Sequence, residues 1–359
     1  MTVPIGKGRR STMTDCTIVC QQDWIWDAFT VPSDAGMTPG NGAPAEPSGA
    51  MRNPRKPRRS LGLWPIDDLR NGDALWAPPA FLIAQNARMR SRGLDPMLML
   101  APPQRWPGIL GMSLMGRTAI TARASTILQW VSYREAGIPE RDPHRDSVNA
   151  GARPWSQLAN GRVDTFPAAQ RSLEDLQSAL VQAPADSLIL VSEHVADITE
   201  EWMVAVHDGH AIASSGYCVH DPSDSRSVLS VFDGARFANE HRMPAEELAV
   251  RAASRMTVRS TVLNIAFRMD SSALVLEALP MWCTPPYAYS RSQTDQLLMS
   301  ISGCSLRVPA STARSADGLV TPDNQQVEES HLYRPDPWME ERFGARFIHE
   351  SHHGGNSPE

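Results

Sequence analysis

Acidic side chains cluster near the ends of apolar runs in the middle of the chain, between residues 186 and 287. The carboxylates nearest to these ends are Glu193, Glu200, Glu201 and Glu277. Alternate residues of a strand share a face, so a pair of strands can direct several carboxylate oxygens at one divalent cation. Two interpretations follow. The carboxylates are either solvated groups at the edge of an antiparallel sheet, or the lining of a site for a nucleotide and a metal ion.

Turn residues and helix caps predict the elements that must hold these carboxylates. Asp208-Gly209 separates two alternating runs, which predicts a strand pair at 187–207 with a β-hairpin partner at 210–219. Asp270-Ser271-Ser272 similarly joins predicted strands at 261–267 and 273–279. Further predicted elements are helices at 79–92, 172–180, 244–259 and 294–301, and a strand at 118–120 leading into a helix that reaches about residue 135. Helices segregated from mainly antiparallel strands indicate an α+β architecture.

Composition narrows the class of protein. The chain of 359 residues has a net charge of −6 and no dominant basic face, which gives no reason to expect nucleic-acid binding. No apolar run reaches the roughly 18 residues that a bilayer requires, and no apolar segment follows the first basic residues, so we expect a cytoplasmic protein without membrane contact. Five cysteines, an odd number, argue against a disulfide framework.

Neither the cysteines nor the histidines suggest a metal centre at this stage. Cys16 and Cys20 lack a second ligand pair, so buried thiols are the better interpretation than zinc ligands. His194, His207, His210 and His220 are close in sequence, but strand alternation divides them between two faces, and a joint metal site is not expected.

Lysine is absent from the folded part of the chain. Of the 34 basic residues only Lys7 and Lys56 are lysines, which leaves 32 arginines. A GC-rich codon bias is the simplest explanation of this imbalance. Even so, any phosphate contact that requires a cation from residue 57 onward must use arginine, a planar donor rather than a compact point charge.

Several segments, in this order, resemble the ATP-grasp superfamily, in particular a divergent bacterial branch of it. The segments are Val191–Val195 (VSEHV), Glu200–Gly209 (EEWMVAVHDG), Leu263–Leu279 (LNIAFRMDSSALVLEAL), Trp282–Tyr287 (WCTPPY) and, upstream, Leu114–Arg117 and Arg153–Arg162. The first resembles the hinge strand beside adenine, and the third resembles the metal-binding strand pair. The resemblance spans roughly residues 75–305.

The resemblance implies a fold, a reaction and a set of ligands. The fold would be two α+β lobes clasping a nucleotide cleft, preceded by a small α/β N-terminal region. The reaction would be ATP-dependent ligation of the carboxylate of a peptide or a small metabolite to an amine through an acyl phosphate, with Mg²⁺ as the metal. The nucleotide contacts would be Arg153, Arg162, Glu193, His194, Val195 and Glu201, and the metal ligands Glu277 and Asn264. No catalytic residue is assigned.

Three departures from the family pattern support an alternative, a catalytically inactive ATP-grasp-like module that binds a nucleotide or a protein. Asn264 replaces the metal-binding Asp, Leu279 replaces an Asn, and Met203 replaces an Arg. The metal site is thus expected to be partly degenerate. Arg153 and Arg162 would replace the lysines that usually contact phosphate.

The expected organisation has six parts: a disordered start at 1–13, a first strand region at 14–31, a Pro/Gly-rich basic insertion at 32–60, a pre-ATP-grasp region at 61–116, the ATP-grasp-like domain at 117–308 and a polar tail at 309–359. The functional interpretation requires the hinge around Ser192 and the strand ending at Glu277 to face each other across a cleft wide enough for a nucleotide. Two structural findings would contradict this interpretation: placement of these two strands in separate sheets, or packed side chains that fill the gap between them.

Overall fold

The computed structural model of the protein describes residues 16–30, 57–62, 64–139, 153–161, 163–221, 224–306, 319–320 and 326–350. Its strands are β1 Thr17–Val19, β2 Arg58–Ser60, β3 Leu75–Trp76, β4 Leu98–Met99, β5 Ala119–Arg123, β6 Trp155–Leu158, β7 Ala169–Gln170, β8 Leu188–Ser192, β9 Ile198–His207, β10 His210–Asp221, β11 Asp224–Ser230, β12 Ser260–Arg268, β13 Ala273–Leu279, β14 Ser305–Leu306, β15 Leu319–Val320 and β16 Gln326–Val327. Its helices are α1 Asp23–Thr30, α2 Pro79–Ser91, α3 Trp106–Leu110, α4 Met112–Met115, α5 Ala124–Ile127, α6 Leu173–Leu180, α7 Arg242–Met256, α8 Arg291–Ile301 and α9 Pro337–Glu350.

An antiparallel sheet in the order β11-β10-β9-β12-β13 forms the larger of the two sheets that matter for the site. Asp208 and Gly209 both have positive φ, 47° and 78°, as a tight two-residue hairpin turn requires, and the predicted hairpin is confirmed. The turn between β12 and β13 places Ser271 at φ 62°. The hairpins β9–β10 and β12–β13 thus belong to one sheet, whereas the first part of the predicted 187–207 run, β8, belongs to another.

Helices cover both faces of this sheet. Trp202, Val204 and Val206 point to a core shared with α7, whose alanine-rich face allows close approach. Met203 and Ala205, the intervening residues, belong to a second core that includes residues of α8. Because apolar residues are needed on both faces, residues 202–206 of β9 form a continuous apolar run rather than a strict alternation.

A second antiparallel sheet, in the order β5-β8-β6-β7, lies with α6 in the other lobe. Ser172 caps α6 and forms a capping box with Asp175, as the sequence predicts. The predicted helix reaching residue 135 is wrong. The strand continues to Arg123, because β5 pairs along its whole length with β8, and the helix that follows is only α5.

A small parallel sheet, β2-β1-β3, with α1 and α2 forms the α/β region near the N-terminus. At the other end of the chain, α9 packs against α2. Asp336 precedes α9 and is almost fully buried; its carboxylate accepts bonds from Ser187 Oγ (2.7 Å) and from the backbone N–H groups of Leu188 and Trp338. The last part of the chain therefore supports the strand that leads to the cleft.

The predicted α+β class is confirmed. The division into six parts stays a prediction, and the expected disorder of 1–13 lies outside the described residues. Within the segment expected to be an insertion, Arg58–Ser60 pairs with β1, and within the expected tail α9 is a packed helix. Among the described residues, no helix is long and apolar enough to cross a membrane.

Candidate functional site

A cavity of about 610 Å³ lies between the four-stranded and the five-stranded sheets. This volume is within the range of small-molecule sites, roughly 300–1,000 Å³. Its walls come from β6, β8, the connector 193–197, β9, β10, β12 and β13. The lining residues that the sequence predicts as site residues are Glu193, His194, Val195, Glu201, Asn264 and Glu277.

The requirement that the two key strands share a sheet is wrong. Ser192 ends β8 in one sheet, and Glu277 lies on β13 in the other, yet both residues line the same cavity. A cleft between two lobes needs one sheet on each side, so separate sheets are compatible with a clasp. The gap between them is open rather than filled with side chains.

The connector 193–197 forms one wall of the cavity. Glu193 is tied to the start of β5: its carboxylate accepts the backbone N–H of Thr118 at 2.7 Å, and its own N–H donates to the Thr118 carbonyl at 2.9 Å. The ring of His194 stacks on Trp155 with centroids 6.4 Å apart. An apolar residue, Val195, follows them along the wall. This wall thus combines backbone groups, an aromatic pair and one carboxylate.

The opposite wall carries Glu277 and Asn264, which are direct partners in the β12–β13 register. Glu277 Oε1 accepts a hydrogen bond of 2.7 Å from Gln157 Nε2. Because Gln157 lies on β6, this bond joins the two sheets across the cleft. Asn264 is 4% exposed, and its Oδ1 is buried without a hydrogen-bond partner. A buried acceptor without a donor is costly, and a cation or a bound donor would satisfy it.

Glu201 is the centre of a polar network on β9, β10 and β12. Its Oε2 accepts from Tyr217 Oη and from Asn264 Nδ2 (2.8 Å), and its Oε1 lies 2.7 Å from His220 Nε2. Burial acts to raise the pKa of Glu201, but the hydrogen bonds from His220, Tyr217 and Asn264 outweigh it and lower the pKa. Burial raises the pKa of Tyr217, so its phenol stays protonated and donates.

Arg117 is the one arginine among the described residues that line the cavity. It is 5% exposed, and its guanidinium donates to the carbonyls of Val275 and Leu276, both at 2.9 Å. Burial lowers its pKa to about 10, while Glu277, Glu193 and Glu201 act to raise it. The group therefore stays charged at neutral pH. Sequence reasoning placed Arg117 in the approach to the cleft but did not list it as a site residue.

Arg153 does not line the cavity. It is an exposed side chain whose Nη1 donates to Asp175 Oδ2 at 2.8 Å on the outside of the lobe. Strand β6 instead presents Trp155 and Gln157 to the cleft. The second predicted phosphate contact, Arg162, lies outside the described residues. The described part of the cleft therefore offers no pair of arginines for a polyphosphate.

Among the described lining residues, negative charge predominates, and this favours a divalent cation beside any polyphosphate in the cleft. The described lining includes four carboxylates, Glu193, Glu201, Asp221 and Glu277, against Arg117. The Glu277 carboxylate and the unpartnered Asn264 Oδ1 are hard oxygen donors on adjacent strands, a set that fits Mg²⁺. Leu279 supplies no donor, so waters and phosphate oxygens would have to complete the shell, which Mg²⁺ commonly accepts.

Two residues that sequence reasoning did not select as site residues, His220 and Cys218, lie beside Glu201. His220 lines the cavity, and Cys218 lies behind it, with Sγ 3.4 Å from His220 Nε2. The signal was their i, i+2 spacing on a predicted strand, which puts two donor side chains on one face. The carboxylate that joins them comes from the preceding strand, and only the hairpin register shows that Cys218 lies opposite Glu201.

Neither a protein-family model nor a curated protein matches the chain. Solved structures similar to it include the D-alanine–D-alanine ligase from Bacillus anthracis, which is 10% identical over 61% of this chain and 74% of that chain, with a TM-score of 0.37. The D-cycloserine synthetase DcsG is 15% identical over 56% of this chain and 69% of its own, with a TM-score of 0.36. The ATP-grasp ligase PsnB, solved with a minimal precursor, Mg and ADP, is 16% identical over 49% and 56%, with a TM-score of 0.27. These neighbours are ATP-grasp ligases, the family that the sequence segments resemble. At this level of similarity the match supports no inference about activity or residue roles.

Proposed function

We propose that the protein binds ATP with Mg²⁺ in the cleft between its two sheets and uses it to join a carboxylate to an amine. The observation that carries the proposal is the pairing of two different walls around one open cavity of nucleotide size. One wall is the connector at Glu193–Val195, and the other holds Glu277 and Asn264. This arrangement suits a ligand with an apolar, hydrogen-bonding base at one end and a metal-bound anion at the other.

Different residues of the cleft would contact different parts of the bound Mg²⁺–ATP. The backbone and side chains of Glu193, His194 and Val195 would hold the base and ribose. Glu277 and Asn264 would hold Mg²⁺, which neutralises phosphate charge when it is bound. The charged guanidinium of Arg117 would make the electrostatic potential of the acidic cleft less negative. Most of the catalysis in such a reaction is positioning, so the rigid strands that hold these groups matter as much as their charge.

The reaction consists of two transfers. A substrate carboxylate oxygen attacks the γ-phosphorus of ATP and ADP leaves, which gives an acyl phosphate. An amine nitrogen then attacks the acyl carbon, phosphate leaves, and the amine proton passes to solvent or to a base. We assign no side chain as that base.

Thermal shift and calorimetric titration with ATP, with and without Mg²⁺, test the binding step. We expect ATP to raise the melting temperature only when Mg²⁺ is present, because a ligand that binds the folded state stabilises it by mass action. Glu277→Gln should weaken Mg²⁺-dependent binding by on the order of 10-fold or more, in line with losses at metal sites. Glu247→Gln, an exposed residue of α7, is the matched control and should bind like wild type. Equal ATP affinity with and without Mg²⁺, in both wild type and Glu277→Gln, would overturn the proposal.

The second candidate is a module that binds the nucleotide without turnover. It is favoured by Glu201, whose oxygens are already engaged by Tyr217, Asn264 and His220, and by Leu279, which cannot ligate a metal. The double substitution Asn264→Asp with Leu279→Asn restores a family-like ligand set. If the native site is vestigial, this variant should bind Mg²⁺ and ATP more tightly than wild type; a site already adequate for turnover would gain nothing. Phosphate release with mixed amines and carboxylates then separates an active ligase from a binding module.

A further inference from the structure

We propose that Glu201, Cys218 and His220 form a binding site for a transition-metal ion of the zinc type, separate from the Mg²⁺ ligands. Three donors of different chemistry converge here: a carboxylate oxygen, a thiol sulfur and an imidazole nitrogen, all within 4.8 Å of one another. Sulfur and nitrogen donors are preferred by zinc and similar ions and not by Mg²⁺. This inference does not depend on ATP binding.

The orientation of the imidazole distinguishes a metal site from a catalytic relay. In a nucleophilic Cys–His–carboxylate relay, one ring nitrogen faces the thiol and the other faces the carboxylate. Here Cys218 Sγ, at 3.4 Å, and Glu201 Oε1, at 2.7 Å, both lie against the same nitrogen, Nε2 of His220. Donors that converge on one point, rather than forming a chain, are the arrangement that a shared cation requires.

The local backbone explains why these donors meet. The register of β9 and β10 shifts between Gly216 and Cys218, and the bulge sets Cys218 directly opposite Glu201. His220 follows two residues later on the same face. Without the bulge, the pairing of β10 with β9 would place a different residue opposite Glu201.

A second layer of hydrogen bonds fixes the carboxylate. Tyr217 Oη and Asn264 Nδ2 both donate to Oε2 of Glu201, which leaves Oε1 directed at His220. Outer-layer partners of this kind orient the ligands of metal sites and tune their affinity.

The site would have an open coordination position. Glu201 and His220 line the cavity, and Cys218 lies behind them at 7% exposure, so the remaining position of a tetrahedral ion faces the cleft. Three protein ligands plus one exchangeable position is the pattern of functional rather than purely structural zinc sites. The position would take water or an anionic oxygen or sulfur of a substrate. On binding, the Cys218 thiol loses its proton to solvent and becomes a thiolate.

Titration of the reduced, metal-free full chain with Co²⁺ tests the proposal, because a cobalt–thiolate bond gives a near-ultraviolet charge-transfer band and tetrahedral Co²⁺ gives intense visible bands. We expect one equivalent to bind, Zn²⁺ to displace it, and an excess of Mg²⁺ to leave the spectrum unchanged. Cys218→Ser should abolish the charge-transfer band, and His220→Gln should weaken Co²⁺ binding by at least the 10–100-fold typical of outer-layer losses. Tyr217→Phe should weaken it by roughly 10-fold.

Cys283→Ser is the matched control, because Cys283 is a thiol away from this cluster, and its band should equal that of wild type. Circular dichroism and melting curves without metal verify that each variant is folded; if Cys218→Ser is not, His220→Gln and Glu201→Gln carry the test. The absence of a charge-transfer band in wild type, or a band that survives in Cys218→Ser or disappears in Cys283→Ser, would overturn the proposal. If the wild-type protein binds no ATP in the titrations proposed above, the expected Co²⁺ spectrum is unchanged. The ATP proposal and the metal-site proposal can therefore be refuted independently.

Discussion

Replacing Arg117 with Met should destabilise the protein strongly. The guanidinium makes two 2.9 Å bonds to carbonyls of β13, the edge strand of the five-stranded sheet, and only 5% of the residue is exposed. Hydrogen bonds to a charged group contribute about 1.5–3 kcal/mol each. Removing the cation also leaves Glu277, Glu193 and Glu201 without its field. Removal of one member of a buried charged group typically costs about 3–5 kcal/mol, which is the loss we expect in the free energy of unfolding.

Urea denaturation followed by tryptophan fluorescence measures this loss. Arg153→Met is the matched control: it removes the same type of side chain from an exposed pair with Asp175, and its effect should be much smaller. Arg117→Lys should fall between the two, because an ammonium keeps the charge but cannot span both carbonyls with a planar fork. A loss below about 1 kcal/mol in Arg117→Met, or one equal to that of Arg153→Met, would refute the argument from buried hydrogen bonds.

Three further predictions concern the lobe around β8. Asp336→Ala should lower the free energy of unfolding by about 2–4 kcal/mol in urea denaturation, because it removes a helix cap and leaves buried donors unpaired; an effect near zero would contradict the observed bonding. Gly161→Ala should cost about 1–3 kcal/mol, since φ is +139° and the new Cβ would lie 2.1 Å from Met339 Sδ; Met339→Ala should cost less in that background than in wild type, as a double-mutant cycle would measure. The pKa of Asp175 is lowered by the Ser172 hydroxyl and backbone, so its contribution is present above the unfolded pKa and is lost as pH falls through the folded pKa; the stability difference between wild type and Asp175→Asn should shrink in acid, and a constant difference would contradict this.

Features fixed by local chemistry were predictable from the sequence. The Asp208-Gly209 turn, the Ser172 cap and the helix at 79–92 follow from residues close together in the chain, and each forms within a residue or two of the expected bounds. The hinge and the strand pair at 263–279 were also found, because their alternation and turn chemistry are local. These two segments supply Glu193, Asn264 and Glu277 to the cavity lining.

Features fixed by pairing between distant segments were not predictable. Nothing in the run 187–207 shows that β8 and β9 join different sheets, since that depends on β5 and β12 as partners. Arg153 was selected because its segment resembles the phosphate-binding strand of the family, but it precedes β6, which begins at Trp155, and its side chain pairs with Asp175. Helix α9 was assigned to a polar tail, although Pro337 after an acidic residue is a helix-start signal.

The short connector between β8 and β9 is a direct covalent link from one sheet to the other. In any movement of the two sheets relative to each other this connector would be the hinge, and a nucleotide held by Glu193–Val195, as proposed above, would contact that hinge directly. Opening of the cleft would change the orientation of the groups at Glu193–Val195. The affinity for the base and the degree of closure of the cleft would therefore change together. A substitution in this link, even one remote from the phosphates, should accordingly alter the release rate of a bound nucleotide more than its rate of capture.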